Sequence, residues 1–273
     1  MGKRLLLALL FLLGMAAFLY FENNSITTTR ITVSSAKLPH GFDGYRVVHL
    51  SDLHSKTFGE NQKPLVEKIS KAKPDLIVFT GDLVDSKHYN EAASLELMKK
   101  IASIAPVYFV TGNHEWWSGK FNSLEKKLSK LGVKVMRNTS ESLTRGEDRI
   151  FIVGVDDPDS GMTAGQTNSV LKETGNLKGF KILLSHRPEL FSFYSKNKVD
   201  LIFSGHAHGG QVRIPFFGGV VAPDQGFFPE YTSGKYVNGS SAMIVSRGLG
   251  NSIIPQRIFN RPEIIVVTLR RDV

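Results

Sequence analysis

An α/β fold is what the sequence predicts: two sheets packed face to face, helices outside, and one apolar helix in front. Three observations carry this. From about Gly44 onward, strand-like and helix-like segments alternate, the pattern of stacked strand–helix units. Five of the strand-like runs end in residues able to hold a metal ion. Ahead of them, Leu5 to Phe21 is an unbroken apolar stretch of 17 residues, the lower limit for a helix that spans a bilayer.

Taken in order, the apolar stretch comes first. Lys3 and Arg4 precede it and Glu22 follows it, so the positive-inside rule puts the N-terminus in the cytoplasm and the rest outside. Residues 1–21 are therefore expected to be a signal anchor, single-pass in the cell membrane, with an extracytoplasmic catalytic domain. Cleavage at the small residues of Gly14–Ala17 would instead give a secreted protein. Residues 22–43 read as a juxtamembrane linker and a first strand, Thr27–Val33, rich in β-branched residues. Residues 44–273 read as one catalytic domain.

Within that domain the strand-like runs are Tyr45–Leu50, Leu76–Thr80, Val107–Thr111, Val133–Arg137, Arg149–Val155, Lys181–Ser185 and Asp200–Ser204. Helices are expected at Gln62–Lys73, Asn90–Ala102, Asn122–Leu131 and Gln166–Thr174, with Pro74 and Pro106 ending the first two. In the last third, strands Gln211–Ile214, Ala242–Ser246 and Ile264–Leu269 are separated by loops rich in Gly, Pro and Phe.

Composition narrows the function. The chain has 273 residues and no cysteine, which excludes structural disulfides, thiolate metal sites and a lipidated cysteine. The net charge of +9 favours anionic partners. Yet Lys99, Lys100, Lys126, Lys127 and Lys130 fall on helices as solvated faces. No Lys/Arg cluster with interleaved aromatics marks a nucleic-acid groove, so no nucleic-acid partner is expected.

The strand ends carry the chemistry. Tyr45–Leu50 leads into Asp52 and His54, and Leu76–Thr80 into Gly81, Asp82 and Asp85. Val107–Thr111 leads into Gly112, Asn113 and His114, Lys181–Ser185 into His186, and Asp200–Ser204 into Gly205, His206 and His208. Open α/β sheets bind ligands outside the carboxyl ends of their strands, so five ends can converge on one site. Asp52/His54 and His206/His208 are i, i+2 pairs, which share a face in extended chain. Carboxylate, amide and imidazole suit hard-to-borderline divalent metals. If the seven residues Asp52, His54, Asp82, Asn113, His186, His206 and His208 hold two ions, the ions bring about +4 and the carboxylates about −2. A centre of that charge suits a phosphate ester, attacked by a hydroxide bridging the metals. His114 is placed to protonate the leaving oxygen or to stabilise its charge. Asp85 is expected to hold the His114 tautomer and raise its pKa, as a general-acid dyad.

The blocks Asp52-x-His54, Gly81-Asp82-x-x-Asp85, Gly112-Asn113-His114-Glu115, His186 and Gly205-His206-x-His208 resemble those of the calcineurin-like metallophosphoesterases. All five occur, in order, between residues 52 and 208. The resemblance implies a four-layer αββα sandwich and two divalent metal ions drawn from Mn, Fe, Zn and similar metals. It places one metal on Asp52, His54, Asp82 and His208, and the other on Asp82, Asn113, His186 and His206. The apolar N-terminus, the run Gly205–Gln211 and the segment Ser246–Gly250 look like a bacterial membrane-associated branch. That branch includes phosphodiesterases and a UDP-diacylglucosamine pyrophosphatase. The implied activity is hydrolysis of phosphodiester or pyrophosphate bonds in a phosphorylated small-molecule or lipid-linked substrate. Phosphomonoesterase or protein phosphatase is the alternative enzyme. A non-catalytic surface module binding anionic wall polymer would predict a decayed site.

Other residues have ordinary readings. His49 is expected to be packed, His40 and His88 to be surface or loop residues, and Glu115 to support its own loop. Arg187 and Arg213 are candidate phosphate grips, Arg247 and Arg257 surface salt-bridge formers. Trp116, Trp117, Phe216, Phe217, Phe227, Phe228 and Tyr231 either pack the loops together or line an apolar groove for an acyl or prenyl chain.

Overall fold

The computed structural model describes residues 2–252 and 254–272. Two six-stranded sheets lie face to face. The first runs, in spatial order, Thr27–Ser35, Glu263–Arg271, Arg46–Leu50, Leu76–Thr80, Val107–Val110, Lys134–Val135. The second runs Gly234–Asn238, Ser241–Val245, Leu201–Ser204, Lys181–Leu184, Asp148–Gly154, Thr139–Arg145. The central strands of each sheet are parallel. They are buried on both faces, which is why their sequences are continuous apolar runs such as Leu76–Thr80 rather than alternating ones.

Three layers of core follow. Val47, Val78, Tyr108 and Val110 of the first sheet meet Ile152, Ile182, Leu184 and Phe203 of the second. The outer face of the first sheet (Val48, Leu50, Ile77, Phe79) packs on Leu65, Ile69, Leu97, Ile101, Leu124 and Leu128. These come from helices Lys63–Ala72, Glu91–Ala102 and Phe121–Lys130. Val153, Leu183, Ile202 and Met243 of the second sheet pack on Leu171, Phe191 and Tyr194, which belong to helices Ala164–Gly175 and Phe191–Ser195. This is the four-layer αββα sandwich. Helix starts are explicit: Asn90 accepts from Ala93 N (3.3 Å), and Thr163 with Gln166 forms a capping box.

Some elements differ from the sequence reading. Val133–Arg137 contributes only the two-residue strand Lys134–Val135, and Gln211–Ile214 only Arg213–Ile214. Thr139–Arg145 and Gly234–Asn238 are edge strands with polar, exposed residues, so they carry no apolar run to reveal them. The first strand extends over Thr27–Ser35 and pairs in parallel with Glu263–Arg271 along its whole length.

The N-terminal helix, Gly2–Asn24, is exposed along its apolar length and long and apolar enough to cross a membrane. The segment expected as a polar linker is instead its docked last turn. Glu22 is buried and accepts from Asn260 N (3.0 Å). Asn23 donates to Pro255 O (3.0 Å) and accepts from Arg257 N (2.9 Å). The helix therefore leaves the domain in a fixed direction.

Candidate metal centre

Loops at the carboxyl ends of five strands bring Asp52, His54, Asp82, Asn113, His186, His206 and His208 into one buried cluster. Asp52, His54, Asp82, His206 and His208 all have positive φ, between 47° and 64°. For residues with a β-carbon the left-handed conformation costs about 1–2 kcal/mol each. Such strain concentrates at functional sites. Glycines let the loops approach. A β-carbon on Gly205 would collide with Ser51 Oγ and Asp52 Oδ2, and one on Gly112 with Asp82.

The ligand-type atoms fall into two sets. In one, His54 Nε2 lies 3.1 Å from His208 Nε2 and 3.5 Å from Asp82 Oδ2, and His208 Nε2 is 3.5 Å from Asp52 Oδ1. In the other, His186 Nε2 lies 3.1 Å from His206 Nδ1, 3.2 Å from Asn113 Oδ1 and 3.2 Å from Asp82 Oδ2. Asp82 Oδ2 belongs to both, while Asp82 Oδ1 accepts from His114 N (2.9 Å). Separations of 3.1–3.5 Å between ligand atoms are the edges of a coordination shell with bonds of about 2.1 Å. Bare imidazole nitrogens facing one another also fit a shared cation better than any hydrogen-bond pattern. The residues thus fit divalent metal ions.

Surrounding groups set the tautomers of two of the four rings, the arrangement that a metal-ligating histidine uses. His186 Nδ1 donates to Thr80 O (2.7 Å), leaving Nε2 for the centre. His206 Nε2 is 2.9 Å from Asp224 Oδ2, leaving Nδ1. Burial outweighs Asp224 and takes His206 down to about 4, and burial takes His208 well below its ordinary value. For His186, burial is outweighed by Asp82 and Asp52, and the ring rises to about 10. Without a cation His186 is therefore protonated at about pH 7–8. Binding must displace that proton, so affinity should rise with pH through this range. Calorimetric metal titration in buffers of different ionisation enthalpy is expected to show net proton release.

Glu115 does more than support its own loop. It is fully buried and accepts from Asp82 N (2.8 Å), Leu83 N (2.9 Å), Val84 N (3.2 Å) and Gly112 N (2.7 Å). One carboxylate so fastens two of the five loops together. Burial and the Asp82 charge push its pKa up, to about 8, against those N–H donors.

The Asp85–His114 pair is arranged differently from the expectation. His114 Nδ1 accepts from Ser86 N (3.0 Å), and Asp85 Oδ2 is 3.9 Å away, too far for a hydrogen bond. Asp85 accepts from Lys87 N and His88 N, and its Oδ2 is 3.5 Å from His54 Nδ1. Asp85 therefore lies nearer His54 than His114, without a hydrogen bond to either ring. Burial, with His54 adding to it, pushes the His114 pKa down rather than up.

The arginines are separated too. Arg187 is bound to Asp157 (Nε–Oδ2 2.6 Å, Nη2–Oδ1 3.0 Å), to Asp159 (3.2 Å) and to Asp224, and Nη1 is 3.1 Å from His206 Nε2. Its donors are engaged, so it braces Asp224, and through Asp224 the His206 ring, instead of offering a free grip. Arg213 donates to Gly209 O (2.8 Å) and Thr232 Oγ1, and does not line the cavity over the cluster. Arg247 pairs with Glu263 (2.8 Å). Arg257 is fully buried and donates to the carbonyls of Gly250, Arg247 and Asn260, not a surface salt bridge. His49 is packed as expected, against Phe203.

Asp224 is the residue the sequence reading missed. It stands alone in a loop, and no spacing links it to His206. A carboxylate orienting a ligating histidine is worth about 10–100-fold in metal affinity or activity. Asp224→Ala is expected to lose that much, in a metal titration that leaves the Asp52/His54/His208 set tight.

An open cavity of about 370 Å³ lies over the cluster, lined among others by Asp82, His114, Trp117, Asp159, His206 and Asp224. Trp116 is packed, against Phe121. Phe216, Phe217, Phe227 and Phe228 are exposed, between 70% and 105% of the reference value, so these do not pack the loops together; Trp117, 59% exposed, lies against His114 (centroids 5.1 Å).

Residues 45–210 match the sequence model of the calcineurin-like phosphoesterases, and the chain belongs to that family. Membership makes it a phosphoester hydrolase. It is similar to the uncharacterized metallophosphoesterase YkuE of Bacillus subtilis (strain 168), 35% identical over 92% of this chain and 88% of that one. It is 30% identical to an uncharacterized metallophosphoesterase of Aquifex aeolicus, over 94% and 96%. It is 29% identical to the phosphodiesterase YaeI of Escherichia coli (strain K12), over 82% of each.

Proposed function

We propose that this chain is a membrane-anchored dimetal phosphoesterase that hydrolyses phosphodiester or pyrophosphate bonds outside the cytoplasm. The observation that carries the reading is the pair of donor sets sharing Asp82 Oδ2. Asp52, His54, Asp82 and His208 would hold one cation, and Asp82, Asn113, His186 and His206 a second. Bound there, ions such as Mn, Fe or Zn would acidify a water and draw charge from the phosphoryl oxygens. The protein's own groups do the rest. Glu115 and Asp85 hold the loops in place, and His114 offers its Nε2–H at the cavity wall.

The charge of the cavity rim favours a diester over a monoester. Asp159 and Asp224 line it, and Arg187 is already paired with both. The rim itself therefore offers no free cation for the second negative charge that a monoester carries beyond a diester. The phosphodiesterase name of the Escherichia coli relative agrees. Anchoring is supported by helix Gly2–Asn24. The test compares bis-p-nitrophenyl phosphate, p-nitrophenyl phosphate and a nucleoside diphosphate derivative, each with Mn, Zn or Fe. Higher kcat/KM on the diester or pyrophosphate bond is expected. Preference for the monoester would transfer the assignment to phosphomonoesterase, and metal-loaded protein inert on all three would leave a binding module.

A further inference from the structure

We propose that two aromatic hairpins beside the metal cavity insert into the membrane surface, so that the cavity opens at the lipid headgroups. The proposal rests on the anchor reading of helix Gly2–Asn24. The hairpins pair Arg213–Ile214 with Gly218–Gly219, and Val221–Ala222 with Gly226–Phe227. Their apolar residues face outward: Ile214 is 42% exposed, and Phe216, Phe217, Phe227 and Phe228 between 70% and 105%. An outward cluster of this kind marks an interaction surface rather than a stray residue.

Two connections say what covers it. Val212 bridges Ile258 in parallel, which sets the first hairpin beside Phe259. Phe259, itself exposed, packs edge-on against Phe18 of the helix, centroids 5.6 Å apart. Phe18 lies about six residues before the helix end, about 9 Å up its axis, and from there outward the helix presents only apolar side chains as far as Leu5. The aromatic surface is thus continuous with a helix surface suited to lipid. Gln256 donates to Leu19 O (3.0 Å), adding to the contacts of Glu22 and Asn23 that fix the exit direction. At that exit Arg261 lies over Phe21 (5.1 Å), a charge that suits anionic headgroups, and Lys56 binds Asn23 O. Phe and Trp rings belong at that depth.

The second hairpin also forms the cavity wall, through Pro223 and Asp224. Insertion of Phe227 and Phe228 would hold that wall against the bilayer and present the metal cluster to a phosphate or pyrophosphate carried on a lipid. Trp117, exposed at the cavity wall, would complete the rim.

The absence of cysteine makes a labelling test clean. Full chains carrying Phe217→Cys, Phe227→Cys, Leu10→Cys or Glu147→Cys are labelled with a fluorophore and reconstituted into phosphatidylcholine/phosphatidylglycerol vesicles with brominated acyl chains. Glu147 is exposed at the opposite end of the sheets, ahead of strand Asp148–Gly154. Quenching at 217 and 227 comparable to that at 10, with 147 unaffected, is expected. Quenching at 10 alone would keep the anchor and overturn the insertion. No quenching at any of the four positions would overturn both. Self-quenching at 217 that unlabelled protein dilutes away, without lipid quenching, would assign the surface to a second copy of the chain and overturn the proposal.

Discussion

Replacing Asp82 with asparagine is expected to abolish turnover and to empty both donor sets. Asp82 Oδ2 lies 3.5 Å from His54 Nε2 and 3.2 Å from His186 Nε2, which places this one carboxylate oxygen in both sets. The amide is nearly isosteric and tolerates the positive φ of 54°, so the loop has no steric reason to change. What changes is charge. Of the seven clustered residues only Asp52 and Asp82 are anionic, and the Asp82→Asn chain would keep one negative charge to balance about +4. Several kcal/mol of charge stabilisation depend on the cations, and at about 1.36 kcal/mol per decade a loss of about 4 kcal/mol is about 10³ in rate. Metal content by mass spectrometry should fall below one ion per chain. Full activity with two bound ions would remove the bridging role.

That cluster was legible because each of its residues follows a strand that announces itself. Leu76–Thr80 and Lys181–Leu184 are wholly buried, so their apolar runs give the strand, and the polar residue after each run gives the site. The same rule explains the failures. Thr139–Arg145 and Gly234–Asn238 are exposed edges whose pairing partners, not their composition, make them strands. The parallel pairing of Thr27–Ser35 with Glu263–Arg271 joins segments far apart in the chain and has no local signature. Asp224 was invisible for a similar reason: it stands 18 positions after His206, beyond a short hairpin whose two-residue strands carry no apolar run. The expected Asp85–His114 dyad came from spacing alone. The structure differs: Ser86 N donates to His114 Nδ1, and Asp85 Oδ2 lies 3.5 Å from His54 Nδ1 against 3.9 Å from His114 Nδ1.

That displaced contact leads to the second large effect. His114→Ala is expected to lower kcat by about 10²–10³, the usual loss of one donor to a developing oxyanion, with both metal sets still filled, since His114 belongs to neither. The route of the loss distinguishes two roles. A general acid needs an imidazolium with a proton to give away. Here Nδ1 accepts a backbone N–H, so the ring's proton is on Nε2 and a second proton on Nδ1 would meet Ser86 N–H. Burial pushes the pKa down, and nearby cations would push it further. His114 should therefore act as a neutral hydrogen-bond donor to the leaving oxygen. Glutamine carries an N–H donor but no transferable proton at this pH, so His114→Gln should recover part of what alanine loses. The kcat profile should also show no fall on the alkaline side that the His114 variants abolish. Glutamine no better than alanine, together with such an alkaline limb in the parent protein alone, would restore the imidazolium acid that the residue spacing suggested.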